Sequence, residues 1–175
     1  SKFIKLFNPS TNHKEKSIIL KVLGSGQWAS GAGTGFVSKF ENEFRKYIKS
    51  NACVAVNSGT SALNLAFSLF DIKNKEVILP SLSFVSSAHC IVENGGIPVF
   101  VDVDPNTLCI DPTEITRAIS KKTVAILPVH FGGMSSNMSE IKKISKKYNL
   151  IVVEDAAHAT GTKLFQNKNN SYQSI

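Results

Sequence analysis

Residues 124–161 read VAILPVHFGGMSSNMSEIKKISKKYNLIVVEDAAHATG. Apolar runs at 124–129 and 150–153 enclose a segment with helical periodicity, in which Ile141 and Ile144 fall on one face. The motif NMSE, which ends at Glu140, has the spacing of a capping box, so a helix is expected to begin there. This strand–helix–strand order predicts a right-handed crossover between two parallel strands.

The same order extends upstream of this stretch. Near-continuous apolar runs predict further strands at 53–56, 76–79 and 97–101. The motif DPTE, which begins at Asp111, supplies an N-cap, a proline at N1 and a glutamate at N3 for another helix. Because such strands are buried on both faces, the sequence predicts an α/β fold, a three-layer sandwich around a mostly parallel sheet. Ligands bind to these folds where the carboxyl ends of the strands meet the following loops.

Composition favours a soluble globular protein. The chain has 175 residues, of which 42% are hydrophobic and 19% charged, so it is too apolar for disorder. The net charge is +7, but its densest cluster, the lysines at 142–147, fits a solvated helix face, so no nucleic-acid partner is predicted. Cys53, Cys90 and Cys109 lack metal-type spacing and predict reduced, buried thiols. No membrane helix or signal peptide is recognisable, so a cytoplasmic location is expected.

The N-terminal region predicts two helices joined by a loop. A short helix is expected within 10–23, ending at Gly24, and an amphipathic helix is expected from Phe36. Five glycines among the twelve residues 24–35 indicate a flexible loop. The pattern GxGxxA at 24–29 matches a relaxed dinucleotide-binding fingerprint. Since no strand precedes it and more glycines follow, a dinucleotide site is not predicted.

The end of the run at 53–56 carries small polar residues that suit a phosphate. Gly59, Thr60 and Ser61 open a helical pattern there. Free N–H groups at a helix N-terminus, two hydroxyls and a glycine that allows close approach form a cup for such an anion. Simple capping of the helix by a hydroxyl is the alternative, and it needs no ligand. No lysine follows in the Walker pattern, which disfavours a nucleotide loop of that type.

Two other strand ends carry candidate ligand contacts. Phe84 follows the run at 76–79, where it would either stack on a flat ring or fill the core. Asp155 follows the run at 150–153, with His158 three positions later. A buried carboxylate needs a cation or strong donors, and the protonated ring nitrogen of a pyridine cofactor is one such partner. A structural carboxylate and a metal site shared with His158 are the alternatives.

In this order, the motifs resemble those of the DegT/DnrJ/StrS family of pyridoxal-phosphate-dependent sugar-nucleotide aminotransferases, which have fold-type I. The resemblance extends from the GQW motif at 26–28 to about Lys163. Its most specific parts are NSGTSAL (57–63), PSLSF (80–84), PVFVDVD (98–104), PVHFGG (128–133) and EDAAH (154–158).

The resemblance implies pyridoxal 5′-phosphate as the cofactor and no metal. It assigns phosphate binding to Gly59, Thr60 and Ser61, ring stacking to Phe84, pairing with the ring nitrogen to Asp155, a position near the phenolic oxygen to His158, and substrate contact to Trp28. The implied reaction transfers an amino group from glutamate to a keto sugar linked to a nucleotide, in amino-sugar synthesis for surface glycans or natural products. The implied protein is a homodimer.

One part of the family pattern has no counterpart in these residues. The Schiff-base lysine of the family lies well downstream of the aspartate motif, and neither Lys163 nor Lys168 matches it. We therefore expect an N-terminal portion only: a helix and Gly-rich loop at 1–35, a partial cofactor-binding domain at 36–163, a polar tail at 164–175 that does not match the family, and no small C-terminal domain. Such a chain is expected to be inactive alone. A non-catalytic partner of a full-length relative and a fragment of a sugar dehydratase with the same cofactor are the alternatives.

Overall fold

A computed structural model describes the backbone of residues 8–28, 35–166 and 171–174, with side chains through Leu164. The chain separates into two compact units, Ser1–Ala55 and Val56–Ile175, which are described separately. The division after Ala55 differs from the domain boundaries predicted after residues 35 and 163, which stay predictions.

The first unit begins with helix α1 (His13–Ser25), which has a capping box at its start. The Asn12 side chain accepts the Lys14 N–H at 2.8 Å, and the Glu15 carboxylate accepts the Asn12 N–H at 2.6 Å. The helix predicted within 10–23 is therefore confirmed. It extends through Ser25 because the residue that ends it in the left-handed conformation, with φ 67°, is Gly26.

Helix α2 (Gly35–Ile48) confirms the amphipathic helix predicted from Phe36. On it, Phe40 and Phe44 form a stacked pair with ring centroids 5.6 Å apart. Glu41 accepts the N–H of Ala55 at 2.9 Å, which joins the end of the unit to this helix.

The strand predicted at 53–56 is wrong. The backbone there has no regular structure, and the side chains of Val54 and Val56 are 67% and 40% exposed. The Ala55 N–H is bonded to the Glu41 carboxylate, and no strand among the described residues pairs with this segment. An apolar run becomes a strand only where a neighbouring strand supplies the hydrogen-bond ladder.

The second unit is built on a parallel four-stranded sheet. Its strands are β1 (Glu76–Pro80), β2 (Ile97–Val101), β3 (Thr123–Ile126) and β4 (Ile151–Val152), in the order β2-β1-β3-β4. Its helices are α3 (Gly59–Ser68), which precedes β1, and α4 (Ser86–Glu93), α5 (Pro112–Ala118) and α6 (Met138–Tyr148), which join successive strands. The predicted α/β fold with a parallel sheet is confirmed.

Both predicted helix starts in this unit are confirmed. The Asp111 side chain caps α5 and accepts the Thr113 N–H at 2.7 Å. The Asn137 side chain caps α6 and accepts the Glu140 N–H at 3.3 Å. The local sequence therefore sets where these helices begin.

Buried residues fill both faces of the sheet and make the three layers. Val77 of β1 belongs to a core cluster with Phe67 and other residues of α3 and α4. The next residue, Ile78, points to the opposite face and belongs to a second cluster with Ile141 and other residues of α5 and α6. This alternation explains why the strands are nearly continuously apolar in sequence.

Strands β3 and β4 are shorter than the apolar runs at 124–129 and 150–153 that predicted them. Pro128 has no N–H to donate to a ladder. Beyond both strands, pairing continues only as a single parallel bridge between Val129 and Asp155. The two chain segments nevertheless stay side by side past the strand ends.

The three cysteines are free thiols. Cys90 and Cys109 are buried, as predicted, whereas Cys53 is half-buried because the segment around it is not a strand.

The polar tail contains regular backbone structure. Strands β5 (Lys163–Gln166) and β6 (Ser171–Ser174) pair antiparallel in a separate two-stranded sheet. Within the described part of the chain, no helix combines the length and the apolar character needed to span a bilayer.

Candidate cofactor site

The strand order creates a crevice at the carboxyl ends of β1 and β3. From β1 the chain crosses to β2 on one side, and from β3 it crosses to β4 on the other side. Connections that diverge in this way leave a gap above the two strands, where open α/β sheets bind ligands. The segments that follow the strand ends here are 81–85 after β1, 127–133 after β3 and 153–158 after β4.

Asp155 lies at this edge of the sheet, just after β4. Its N–H donates to the Pro128 carbonyl at 2.9 Å, and its own carbonyl accepts the His130 N–H at 3.1 Å. The residue is 9% exposed. Two backbone hydrogen bonds therefore fix it against the segment that follows β3.

Both carboxylate oxygens of Asp155 accept hydrogen bonds. The Ser87 hydroxyl donates to Oδ2 at 3.1 Å, and the Ala157 N–H donates to Oδ1 at 3.1 Å. A carboxylate oxygen has two lone pairs, so each oxygen retains room for one further donor. The protein thus supplies part of what a buried carboxylate needs and leaves capacity for a ligand.

The charge of Asp155 affects a neighbouring thiol. Burial raises the pKa of Cys90 to about 11, and the negative charge of Asp155 adds to the increase. The Cys90 Sγ lies 3.2 Å from the Ser87 carbonyl, to which it donates. Cys90 is fully buried in the core cluster that includes Phe67 and Ile91, so the surroundings of this thiol are apolar.

Phe84 lies on the segment between β1 and α4. Its side chain is 72% exposed, so the alternative that it fills the core is wrong. Its carbonyl accepts the Ser87 N–H at 3.0 Å, and the preceding hydroxyl, Ser83 Oγ, lies 2.6 Å from Ser87 Oγ. The candidate ring-stacking residue and Asp155 are thus connected through Ser87.

His158 contacts the segment that follows β3. Its Nδ1 accepts the Gly132 N–H at 3.2 Å, and its ring meets the Phe131 ring edge to face with centroids 5.7 Å apart. Among the described residues, no group of three or more His, Cys, Asp or Glu side chains is arranged to bind a metal ion. The structure gives no support to a metal site shared by His158 and Asp155.

The N-terminus of α3 presents backbone donors. The Ser58 hydroxyl caps the helix and accepts the Ser61 N–H at 3.1 Å. The Ser61 hydroxyl in turn donates to Asn57 Oδ1 at 2.7 Å. The N–H groups of Gly59 and Thr60 have no hydrogen-bond partner within the described part of the chain. Capping is therefore observed, and it leaves the N–H groups of Gly59 and Thr60 available to an anion.

Trp28 belongs to the first unit. Its side chain is 69% exposed, and its Nε1–H donates to the Leu23 carbonyl at 3.3 Å. Substrate contact by Trp28 stays a prediction.

Sequence reasoning missed two groups next to Asp155, namely Ser87 and the pair formed by His130 and Glu154. The His130 ring is fully buried. Its Nδ1 accepts the Ser136 N–H at 3.0 Å, so the proton is on Nε2, which donates to Glu154 at 3.0 Å. Both groups lie in or beside the motifs that predicted the site. Contacts between residues 68 and 24 positions apart have no signal in local spacing.

Comparison with known proteins gives a consistent set of matches. A family model, the DegT/DnrJ/EryC1/StrS aminotransferase family, matches residues 9–174. The spore coat polysaccharide biosynthesis protein SpsC of Bacillus subtilis (strain 168) is 41% identical over 155 residues, which cover 88% of this chain and 39% of SpsC. The GDP-perosamine synthase of Caulobacter vibrioides is 35% identical over 164 residues, which cover 93% of this chain and 44% of the synthase.

A solved structure extends the match to the fold. The crystal structure of a GDP-4-keto-6-deoxymannose-3-dehydratase with a trapped PLP–glutamate geminal diamine matches with a TM-score of 0.81 and 31% identity, over 94% of this chain and 43% of that one. The chain thus spans less than half the length of each of these proteins.

Proposed function

This chain belongs to the DegT/DnrJ/EryC1/StrS aminotransferase family, and we propose that the protein binds pyridoxal 5′-phosphate in the crevice beside Asp155. In the proposed reaction, an amino group passes from glutamate to a keto sugar linked to a nucleotide. The product is an amino sugar for a surface polysaccharide or a natural product.

The observation that carries this proposal is the Asp155 carboxylate. It is buried at the carboxyl edge of the parallel sheet, next to the crevice where the connections from β1 and β3 diverge. Each of its oxygens accepts one hydrogen bond from the protein. A protonated pyridine nitrogen supplies the additional charged donor that such a carboxylate can accept. A buried carboxylate with acceptor capacity left on each oxygen therefore suits the protonated ring nitrogen of this cofactor.

The other predicted residues would bind and orient the same molecule. Phe84 offers an exposed ring for stacking, and the free N–H groups of Gly59 and Thr60, with the Thr60 hydroxyl, would hold the phosphate. Ser61 would join them only by giving up its bond to Asn57. His158 would lie near the phenolic oxygen.

When bound, pyridoxal phosphate supplies an electron sink for negative charge that develops on carbon. Within this chain, Asp155 would hold a proton on the ring nitrogen and so maintain that capacity. Phe84 and the α3 N-terminus would fix the plane and the position of the ring, which limits the reacting geometry.

The proposed substrate follows from the relatives. One is named as a GDP-perosamine synthase and another as a spore coat polysaccharide biosynthesis protein. Phosphate-bearing sugars are anionic, and a net charge of +7 attracts them. We propose Trp28 as a substrate contact on the resemblance alone.

For the 175 residues by themselves, we propose weak, non-covalent cofactor binding and no amino transfer, because neither Lys163 nor Lys168 matches the Schiff-base lysine. A cytoplasmic location and a homodimeric state are further proposals from the family resemblance. A non-catalytic role as partner of a full-length relative stays an alternative.

A second candidate function is sugar dehydration with the same cofactor. The match to a GDP-4-keto-6-deoxymannose-3-dehydratase favours it. A chimera that joins these residues to the remaining part of a relative would distinguish the two reactions. With glutamate and a keto sugar nucleotide, both reactions convert glutamate to 2-oxoglutarate. Amino transfer keeps the nitrogen in an amino sugar, whereas dehydration, with glutamate as the two-electron reductant, yields a deoxy keto sugar and releases ammonia.

The cofactor proposal is tested by titrating pyridoxal 5′-phosphate into the chain and following the absorbance of the cofactor. We expect Asp155→Asn to weaken binding about tenfold, as the loss of one charge-assisted hydrogen bond predicts. Asp71→Asn is the matched control, because Asp71 is exposed and pairs with Lys75, and it should bind like the wild type. Equal binding by Asp155→Asn and the wild type would refute the proposed site.

A further inference from the structure

We infer that Ser87, supported by Ser83, is a positioning residue that fixes the Asp155 carboxylate for the ring nitrogen of the cofactor. This inference rests on the proposed function and adds to it two hydroxyl groups that act through Asp155.

Ser87 is placed for this role by helix α4. It lies in the first turn of the helix and is fully buried. Its hydroxyl reaches across 68 residues of sequence to donate to Asp155 Oδ2 at 3.1 Å. A buried hydroxyl needs a partner, and this one is bonded to the carboxylate that the proposed function uses.

The direction of the hydrogen bonds follows from a count of protons. A serine hydroxyl has one proton, and that of Ser87 is donated to Asp155. In the 2.6 Å contact between Ser83 Oγ and Ser87 Oγ, Ser83 must therefore be the donor. The result is a relay in which Ser83 donates to Ser87 and Ser87 donates to the carboxylate. Successive hydrogen bonds of this kind polarise and strengthen one another.

The relay fixes the plane of the carboxylate. Oδ2 is bonded from helix α4 through Ser87, and Oδ1 is bonded from the Ala157 N–H on its own segment. Two donors from different elements prevent the group from rotating about its terminal bond. Ser83 is also the residue before Phe84, so one short segment presents the ring-stacking side chain and begins the relay.

The test compares pyridoxal 5′-phosphate with the analogue in which carbon replaces the ring nitrogen, both titrated into the full 175-residue chain. The wild type should prefer the nitrogen compound about tenfold. Ser87→Ala should lose most of this preference and bind the carbon analogue as the wild type does. Ser83→Ala should lose about half of this preference, measured as the logarithm of the ratio of the two affinities. Ser86→Ala is the matched control, since Ser86 is also buried on α4 and makes no hydrogen bond to Asp155 in the described structure.

A second measurement needs no cofactor. Solvent exchange of the Ala157 amide, followed by NMR, reports whether Asp155 Oδ1 still accepts its hydrogen bond. We expect faster exchange in Ser87→Ala than in the wild type and no change in Ser86→Ala. If Ser87→Ala does not fold, Ser83→Ala at its half-buried position provides both measurements.

The outcomes separate the two proposals. An unchanged preference in Ser87→Ala overturns the positioning role, whether or not the Ala157 amide changes, because the hydroxyl would then serve the fold alone. A wild type that binds both compounds equally, or neither, refutes the pairing of Asp155 with the ring nitrogen, and the present inference fails with it.

Discussion

The substitution His130→Ala removes a buried ring that joins the segments following β3 and β4. His130 Nδ1 accepts the N–H of Ser136, and its Nε2–H donates to Glu154. Both His130 and Ser136 are buried, at 0% and 2% exposure. Alanine cannot replace either hydrogen bond, so the substitution tests whether this buried ring stabilises the second unit.

The expected loss of stability follows from these contacts. An unpaired buried N–H on Ser136 costs about 1–3 kcal/mol. The cavity left by the ring costs about 2 kcal/mol more. The Glu154 side chain is 38% exposed, so water can replace its lost partner at little cost. We therefore expect His130→Ala to lower the free energy of unfolding by about 3–5 kcal/mol.

Urea unfolding followed by far-UV circular dichroism measures this loss, with the denaturant slope checked to be unchanged. The matched control is His89→Ala, because His89 is exposed on α4, and it should change stability by less than about 0.5 kcal/mol. His130→Asn keeps a side-chain acceptor near the Ser136 N–H, so it should recover about 1–2 kcal/mol of the loss.

Two results would contradict this reasoning. A loss below about 1 kcal/mol in His130→Ala would show that the Ser136 N–H finds another partner or that the site opens to water. Equal losses in the alanine and asparagine variants would show that the acceptor contributes nothing and that only the volume of the ring matters.

Three further predictions concern other parts of the chain. Because the pKa of Cys90 is raised to about 11, this buried thiol stays protonated at pH 8. Iodoacetamide labelling followed by mass spectrometry should therefore modify half-buried Cys53 before Cys90. Comparable labelling rates for Cys53 and Cys90 would contradict this. Gly133→Ala should lower the free energy of unfolding, measured in urea, by about 1–2 kcal/mol, because φ at Gly133 is +85° and a Cβ would lie 3.2 Å from the His158 carbonyl. Gly24→Ala is the control and should leave this free energy unchanged, because a Cβ at Gly24 meets nothing within 4 Å. Incubation of the chain with pyridoxal phosphate, glutamate and a keto sugar nucleotide should give no 2-oxoglutarate. Turnover would refute the proposed inactivity, and a lysine adduct that survives dialysis would refute the proposed non-covalent binding.

The fold could be predicted because its signals are local. The apolar runs of β1 to β4 and the caps at Asp111 and Asn137 lie within a few residues of the elements they specify. The prediction failed at 53–56, where the apolar pattern was present but no strand among the described residues pairs with the segment. Periodicity describes a segment and contains no information about its pairing partner.

The site was predictable in part for a similar reason. Asp155 and the α3 N-terminus follow strands or open helices, and position at a strand end or helix start is visible in sequence. The relay from Ser83 through Ser87 and the ring of His130 connect segments that are distant along the chain. Such contacts depend on how helices and loops pack on the sheet, which the residue pattern does not specify.

The narrow attachment of β4 has a consequence for how a ligand and the sheet depend on each other. Only Ile151 and Val152 pair with β3 as a strand, and past them Val153 and Asp155 each donate one backbone hydrogen bond, at 3.1 and 2.9 Å. Within the described residues β4 pairs with a strand on one side only, so it detaches at a lower free-energy cost than the central strands β1 and β3. A molecule that binds Asp155 only in the attached state shifts that equilibrium by mass action. Binding of a ligand in the crevice should therefore slow amide exchange along β4.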